Sequence, residues 1–170
     1  MTEVASLSDL FDDGDYVNLD DGRSVRLRIE PDQDTSVRDY ECYGEFSEYA
    51  YDYRHDHHEP RPDGFDGDAE KIQVDRGLWM WWQPPRGDYA LDYKRGTPEF
   101  ATFRSFVIDL ASYGFIGLII EVWHSCGECS TRHEETTASI WGVEWGTDDA
   151  YRRTLISELL AEVGFEREEA

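Results

Sequence analysis

Alternating apolar and polar positions predict a β-hairpin near the start of the chain. Residues 16–19 and 25–29 both alternate with period two, and residues 20–23 between them, Asp-Asp-Gly-Arg, are typical of a tight turn. In the second segment the apolar side chains point to one side and Arg26 and Arg28 point to the other. We therefore expect two paired strands with one buried face.

Further strands are indicated by apolar or aromatic runs at residues 40–53, 78–82, 115–123 and 140–145. The run at 78–82 is apolar on both faces, which is typical of a central strand that is covered on both sides. The last two runs are joined by a polar turn region at residues 124–135. In the return strand, period two predicts that Trp141, Val143 and Trp145 share one face.

Helical spacing of apolar residues predicts two helices, at about residues 97–113 and 148–163. Thr97 is suited to cap the first helix, Pro98 to occupy its first turn and Gly114 to end it. The second helix begins at an acidic pair and closes near a glycine.

The order of these elements lacks regular βαβ alternation and predicts an α+β fold. We expect a single domain over residues 1–170, a mainly antiparallel sheet with the two helices packed mostly on one face. Residues 54–69 hold proline, glycine and few apolar residues, which favours a flexible surface loop. The last few residues are acidic, and we expect this short C-terminal end to be disordered.

Charge is the most unusual property of the composition. The chain carries 38 Asp and Glu against 16 Lys and Arg, a net charge of −22. Such a surface repels phosphate backbones, so direct binding of nucleic acid is excluded. Two explanations of the acidity stay open at this point: solubility or a compositional bias of the host, and recognition of a basic partner.

Other features of the sequence indicate a cytoplasmic protein. No apolar run approaches the roughly 20 residues that a membrane-spanning helix needs. The first residues lack the basic and apolar regions of a signal peptide. Three cysteines, an odd number, suit a reducing compartment better than a disulfide framework.

Four short segments resemble a family of small acidic proteins, of no established activity, that is carried by actinobacteria and their phages. They are residues 32–36 (DQDTS), 40–44 (YECYG), 61–67 (RPDGFDG) and 81–85 (WWQPP). The resemblance spans the middle of the chain. It implies a phage or mobile-element context and the cytoplasm of the host. The Cys-His loop at residues 124–133 is not part of the family's pattern, so the resemblance carries no inference about a metal.

The sharpest local motif is His124-x-Cys126-x₂-Cys129-x₃-His133 between two predicted strands. Two thiolates separated by two residues and two imidazoles form a Cys₂His₂ ligand set, which predicts one structural zinc ion. Four ligands within ten residues make an unusually compact loop. The alternatives are a polar hairpin loop with incidental cysteines and a redox-sensitive cysteine pair.

Evidence for catalysis is weak. The chain has no nucleophile elbow, no phosphate-binding loop and no dinucleotide fingerprint. The His-rich tract at residues 55–59 is typical of a solvated polar loop, and residues 63–70 lack the register of a calcium-binding loop. A hydrolase with zinc held by the two cysteines and one histidine is the weakest hypothesis, so the sequence favours a protein without catalytic activity.

A tryptophan-rich strand offers one binding surface. Trp79 and Trp81 share one side of this strand, and Trp82 lies on the other. One side is expected to meet the helices, and the other needs a cover from the chain itself or from a partner. Burial in the core is the favoured interpretation, since aromatic patches of this size are uncommon on monomers.

The second helix offers an acidic surface. Glu158, Glu162 and Glu166 recur every four residues, and Asp148 and Asp149 lie at the start of the helix. These residues lead to the first hypothesis of function: a phage-type interaction protein that inhibits a basic, nucleic-acid-handling or defence factor of the host, by mimicry of DNA. The alternative is a small zinc-stabilised module that binds a protein or peptide through the tryptophan face.

Overall fold

The computed structural model describes residues 2–3, 5–48, 50–51, 60–75, 78–87, 94–125 and 132–165. These residues form two α-helices, three short 3-10 helices and nine β-strands. The strands are β1 (Thr2–Glu3), β2 (Asp15–Asn18), β3 (Arg23–Asp32), β4 (Glu45–Phe46), β5 (Ala50–Tyr51), β6 (Glu70–Asp75), β7 (Leu78–Gln83), β8 (Phe115–Ser125) and β9 (Arg132–Glu144), and the helices are α1 (Pro98–Tyr113) and α2 (Asp149–Glu162).

The α+β class with mainly antiparallel sheets and two helices is confirmed. The strands divide between two sheets, whereas the sequence analysis expects one. The chain correspondingly forms two compact units, Met1–Asp32 with Phe115–Ala170, and Gln33–Gly114. We call them the terminal unit and the inserted unit.

The terminal unit is a five-stranded sheet in the order β1-β2-β3-β8-β9. Its neighbours pair antiparallel except for β1 and β2, which are parallel. The longest-range pairing joins β3 to β8, and it runs from Arg23 opposite His124 to Asp32 opposite Phe115. The inserted unit thus leaves and re-enters the terminal unit at two paired residues.

The core of the terminal unit lies between this sheet and α2. As the alternation predicts, Val25 and Leu27 are fully buried, while Arg26 and Arg28 lie on the other face. The apolar stripe of α2 packs on β8 and β9. The α2 side chains in this core are Leu155, Ile156, Leu159 and Leu160.

In the inserted unit β7 is the central strand. It pairs with β6 along one edge, and β4 and β5 share the other. Met80 and Trp82 are buried against Phe100 and Phe103 of α1. The Trp82 and Phe100 rings stack with centroids 6.1 Å apart.

Both helices have the caps that the sequence predicts, and their bounds agree with the prediction to within about a residue. The Thr97 hydroxyl accepts a hydrogen bond from the Phe100 backbone N–H at 3.2 Å. The Asp148 carboxylate accepts one from Tyr151 at 2.9 Å. Each cap satisfies a backbone donor that the first helical turn leaves unpaired.

The segment at residues 40–53, expected to add a strand, forms a 3-10 helix and two strands of two residues each in its described part. Gly44 interrupts regular pairing there, with φ of 99°. A Cβ atom at this position would overlap the Gln83 carbonyl oxygen. The backbone therefore turns tightly against the end of β7 instead of continuing as a strand.

The prediction that Trp141, Val143 and Trp145 share a face is wrong. Ile116 pairs with Val143 and Leu118 with Ile140, so Trp141 and Gly142 together oppose Gly117 in a β-bulge. The extra residue reverses the alternation. Val143 is therefore buried at 4% exposure while Trp141 is 48% exposed. Trp145, 46% exposed, lies in the turn beyond the end of β9 at Glu144.

Two predicted features fall wholly or partly outside the described residues. They are residues 54–59 of the expected loop and the acidic C-terminal end. Residues 60–69 form turns without regular structure, in agreement with a loop. Within the part of the chain that the structure covers, no helix has the length and apolar character needed to cross a membrane.

The two neighbouring tryptophans of β7 give a stability prediction. The Trp82 indole N–H donates to the Tyr43 carbonyl oxygen at 2.7 Å. The buried Trp81 indole N–H has no hydrogen-bond partner among the described residues. Trp82→Phe should lower the free energy of unfolding by about 1–3 kcal/mol, because it leaves a carbonyl unpaired and shrinks a packed side chain.

Trp81→Phe is the matched control, because it removes an indole N–H for which the described residues supply no acceptor. It should lower the free energy of unfolding clearly less than Trp82→Phe does. Chemical denaturation monitored by circular dichroism measures both values. Equal losses from the two substitutions would contradict this account of the Trp82 hydrogen bond.

Candidate functional site

The face of the terminal sheet opposite α2 contains a buried carboxylate. Glu121, on β8, is 4% exposed. Its carboxylate accepts a hydrogen bond from Arg28 at 2.6 Å and one from the Trp123 indole N–H at 3.2 Å. The Arg26 guanidinium lies 4.0 Å away.

These contacts give Glu121 a structural role. Both carboxylate oxygens are hydrogen-bonded and the charge is balanced by two arginines, so the desolvation of the carboxylate is compensated. Arg28 also forms an ion pair with Glu30 on the same strand. Glu121 is not among the sites predicted from the sequence, although an acid within the apolar run at 115–123 is a visible signal of a paired buried charge.

The two predicted histidine ligands lie near the loop end of the β8–β9 hairpin. His124 and His133 are register partners across the two strands, and both are exposed. Directly opposed residues of an antiparallel pair lie on the same face with Cβ atoms about 5 Å apart. The structure therefore brings the two histidines together, while Cys126 and Cys129 lie outside the described residues.

Asp21, in the turn between β2 and β3, is near His124 and is already engaged. It forms an ion pair with Arg23 at 2.8 Å and accepts the Arg23 backbone N–H at 3.0 Å. The backbone hydrogen bond from Arg23 is the main cause that lowers the pKa of Asp21 below its ordinary value, and the nearby His124 adds to it. Among the described residues no group of three or more metal-ligating side chains is assembled.

The predicted acidic surface on α2 is partly described. Glu158 and Glu162 are exposed on the side away from the core, and Asp148 and Asp149 are exposed at the helix start. Glu166 lies outside the described residues. The exposed Tyr151 precedes Glu158 by seven residues, which places it on the same stripe of the helix.

The described arginine side chains, in contrast, are engaged within the protein. On α2, the guanidinium groups of Arg152 and Arg153 lie 5.0 and 4.5 Å from the centre of the Phe11 ring. Every arginine whose side chain the structure describes has an ion pair, a hydrogen bond or a cation–π contact within its own unit. The others are Arg23, Arg26, Arg28, Arg38, Arg61, Arg86, Arg95 and Arg104.

The three tryptophans of the predicted binding face separate as their spacing predicts. Trp82 is fully buried in the core of the inserted unit. Trp79 and Trp81 are half-buried on the other side of β7. An open groove of about 330 Å³ lies beside the end of this strand, lined by Gly44, Pro84, Pro85 and the charged residues Glu41, Glu45 and Arg86.

No family model matches the chain, and neither a curated protein nor a solved structure matches it. The family resemblance noted in the sequence stays a prediction. The assignment of function therefore rests on the geometry and charge of the described residues.

The Glu121 network gives a second stability prediction. Glu121→Ala removes the acceptor of the Trp123 indole N–H and the buried partner of Arg28, which keeps only its exposed partner Glu30. We expect it to lower the free energy of unfolding by about 1–3 kcal/mol, the cost of leaving buried polar groups unpaired.

Glu30→Ala removes the other acidic partner of the same Arg28 and serves as the control. The Glu30 side chain is 39% exposed, so its loss should cost about 0–1 kcal/mol, as for surface ion pairs. Urea denaturation of both variants tests the difference. If Glu121→Ala proves no more destabilising than Glu30→Ala, the structural role of Glu121 is wrong.

Proposed function

We propose that the chain is an acidic interaction protein that binds a basic, nucleic-acid-handling protein and inhibits it by occupying its nucleic-acid site. The observation that carries the proposal is the internal engagement of every described arginine. Because these cations are matched by partners within the protein, the charge that is left to face a binding partner is predominantly negative. A surface of this kind attracts Lys- and Arg-lined grooves.

The exposed face of α2 is the proposed contact surface, with Asp148, Asp149, Glu158 and Glu162. Residues four apart on a helix are separated by about 6 Å along its axis. One strand of duplex DNA advances by about 3.4 Å along its helix axis per phosphate. Two glutamates alone are therefore too sparse to match a DNA strand, and the proposal includes the two aspartates at the helix start.

The family resemblance supports the biological setting of this proposal. A host nucleic-acid-binding or defence factor is the proposed partner, and the cytoplasm of the host is the proposed location. Mimicry of DNA needs no metal and no catalytic residue, so the acidic interaction protein is proposed to act without catalysis by this chain.

Charge reversal on α2 tests the proposal. Affinity purification from an actinobacterial lysate should capture a basic protein that duplex DNA displaces, because the two compete for one site. Glu158→Lys with Glu162→Lys should weaken the captured complex by about tenfold or more, since like charges across an interface cost several kcal/mol. Binding should also fall steeply between low and physiological salt, because exposed charges are screened over about 8–10 Å.

Asp20→Lys with Asp63→Lys is the matched control. These two exposed aspartates lie outside α2, and the pair gives the same change in net charge. If both double variants weaken the complex equally, net charge alone governs binding and the α2 face is not the contact surface. If duplex DNA fails to displace the partner, the mimicry of DNA is wrong.

A second candidate function is supported by the opposed pair His124 and His133. We propose that these histidines, with Cys126 and Cys129, hold one structural zinc ion in a small protein- or peptide-binding module. The cross-strand pairing puts two imidazoles on one face at the start of the loop that carries both cysteines. Zinc would then close the end of the hairpin and stabilise it.

Elemental analysis tests the zinc site. Protein purified without chelator should contain about one zinc per chain, and His124→Ala or His133→Ala should reduce this content and the melting temperature. Ser125→Ala, between the motif residues, should change neither. Zinc far below one equivalent in the natural chain would rule out the site without affecting the proposal for α2.

A further inference from the structure

The outer edge of β9 has no partner strand in the part of the chain that the structure describes. β9 ends the order of the terminal sheet and pairs with β8. A free edge presents backbone N–H and C=O groups that an added strand can satisfy.

The hydrogen bonds of the sheet show which residues direct their backbone groups to this edge. The Ser125 N–H donates to the Gly22 carbonyl oxygen, so Ser125 faces β3. Backbone direction alternates along an antiparallel strand, and Ile120 and Val122 therefore face β9. Ile120 pairs with Ala138 and Val122 with Thr136, so the backbone groups of Ala138 and Thr136 face β8. The backbone groups of the alternate residues of β9 therefore face away from β8.

Thr137 and Ser139 thus direct their N–H and C=O groups to the free edge. A bulge limits the regular stretch on each side: Glu135 is an extra residue opposite Val122 and Trp123, and Trp141 and Gly142 together oppose Gly117. The intervening residues 136–140 are uncharged. Bulges and charged side chains usually protect an exposed edge from pairing. Residues 136–140 contain neither, so this short segment can accept an added strand.

The side chains beside this segment indicate the chemistry of its partner. Glu134 is exposed, and its carboxylate accepts a hydrogen bond from the Thr137 hydroxyl at 2.7 Å, which holds it at the edge. Trp141 is 48% exposed near the other end. Glu134, Thr137, Ser139 and Trp141 follow the face of Glu121, which is opposite α2. A carboxylate and an indole ring are both partners for Lys and Arg.

From these contacts we infer that the β9 edge binds an extended, basic segment of a partner protein as an added β-strand. Its backbone pairs with Thr137 and Ser139, and basic side chains on one face meet Glu134 and Trp141. A second copy of this chain is a poor occupant, because two molecules of net charge −22 repel each other. The inference rests on the proposed function only in that the partner is basic. The β9 edge is a different surface from the α2 face.

Binding of synthetic peptides tests the inference. The probe is a nine-residue peptide of alternating Arg and Val, added to the full chain and followed by NMR. We expect amide exchange at Thr137 and Ser139 to slow by about tenfold or more as these donors become hydrogen-bonded. A peptide of the same composition with a central proline should bind at least about tenfold more weakly, because it cannot complete the strand.

Two variants locate the site. Thr137→Pro removes an outward N–H without breaking the β8–β9 ladder, since proline is tolerated on edge strands. Thr137→Pro and Glu134→Lys should each lower the affinity for the alternating peptide by about tenfold. In the double variant Glu158→Lys with Glu162→Lys, the alternating peptide should still bind more tightly than the proline-interrupted one. It should also still slow amide exchange at Thr137 and Ser139.

The outcomes separate this inference from the proposed function. Equal binding of the alternating and proline-interrupted peptides, or unchanged exchange at Thr137 and Ser139, would overturn strand addition at β9 even if the α2 face binds a basic protein. Loss of peptide binding only on reversal of the α2 charges would overturn it as well. If Thr137→Pro does not fold, the peptide comparison and the exchange measurement still decide the question.

Discussion

The pairing of β3 with β8 is the constraint on which the rest of the terminal unit depends. It joins segments that are separated by the whole inserted unit, and its ladder is continuous from Arg23 opposite His124 to Asp32 opposite Phe115. β8 is buried along most of its length between β3 and β9. Its even-numbered residues supply the core under α2, and its odd-numbered residues include Glu121. A register shift of one residue would exchange these two faces and bury the wrong set.

The pairing of β3 with β8 also determines how the buried charges of the sheet are balanced. Arg26 and Arg28 of β3 and Glu121 of β8 lie on one face because their register aligns them. Beyond this network, the described arginines are matched by neighbouring carboxylates, carbonyl groups or aromatic rings. A chain with so large an excess of acids is destabilised by self-repulsion. Local pairing of the few cations reduces this repulsion inside each unit while leaving the outer surface acidic.

The sequence predicts the local elements of this fold better than their assembly. Thr97, Pro98 and Asp148 determine helix starts through short-range capping, which a single segment reveals. The burial of Val25 and Leu27 follows from period two alone. The bulge at Trp141 and Gly142 depends instead on the partner strand, where Gly117 leaves room for the Trp141 ring: a Cβ atom at residue 117 would overlap that ring. The division into two sheets is likewise a long-range property, since it depends on which strands pair.

The candidate sites show the same division between local and long-range information. The spacing of the Cys-His motif is visible in the sequence, but the opposition of His124 and His133 depends on the register of β9, which begins at Arg132 within the predicted turn region. The outward direction of Thr137 and Ser139 depends on strand order and is absent from any local pattern. The acids of α2 could be predicted, since helical spacing alone brings Glu158 and Glu162 to one stripe.

The junction at Asp32 and Phe115 has an evolutionary consequence. Paired residues of an antiparallel ladder lie about 5 Å apart, a gap that an ordinary hairpin turn bridges. A segment attached at such a point can be gained, lost or exchanged in the history of a gene without altering the register of the strands that carry it. The residues between the third and fourth strands of the terminal sheet are therefore an insertion whose two ends meet at neighbouring positions.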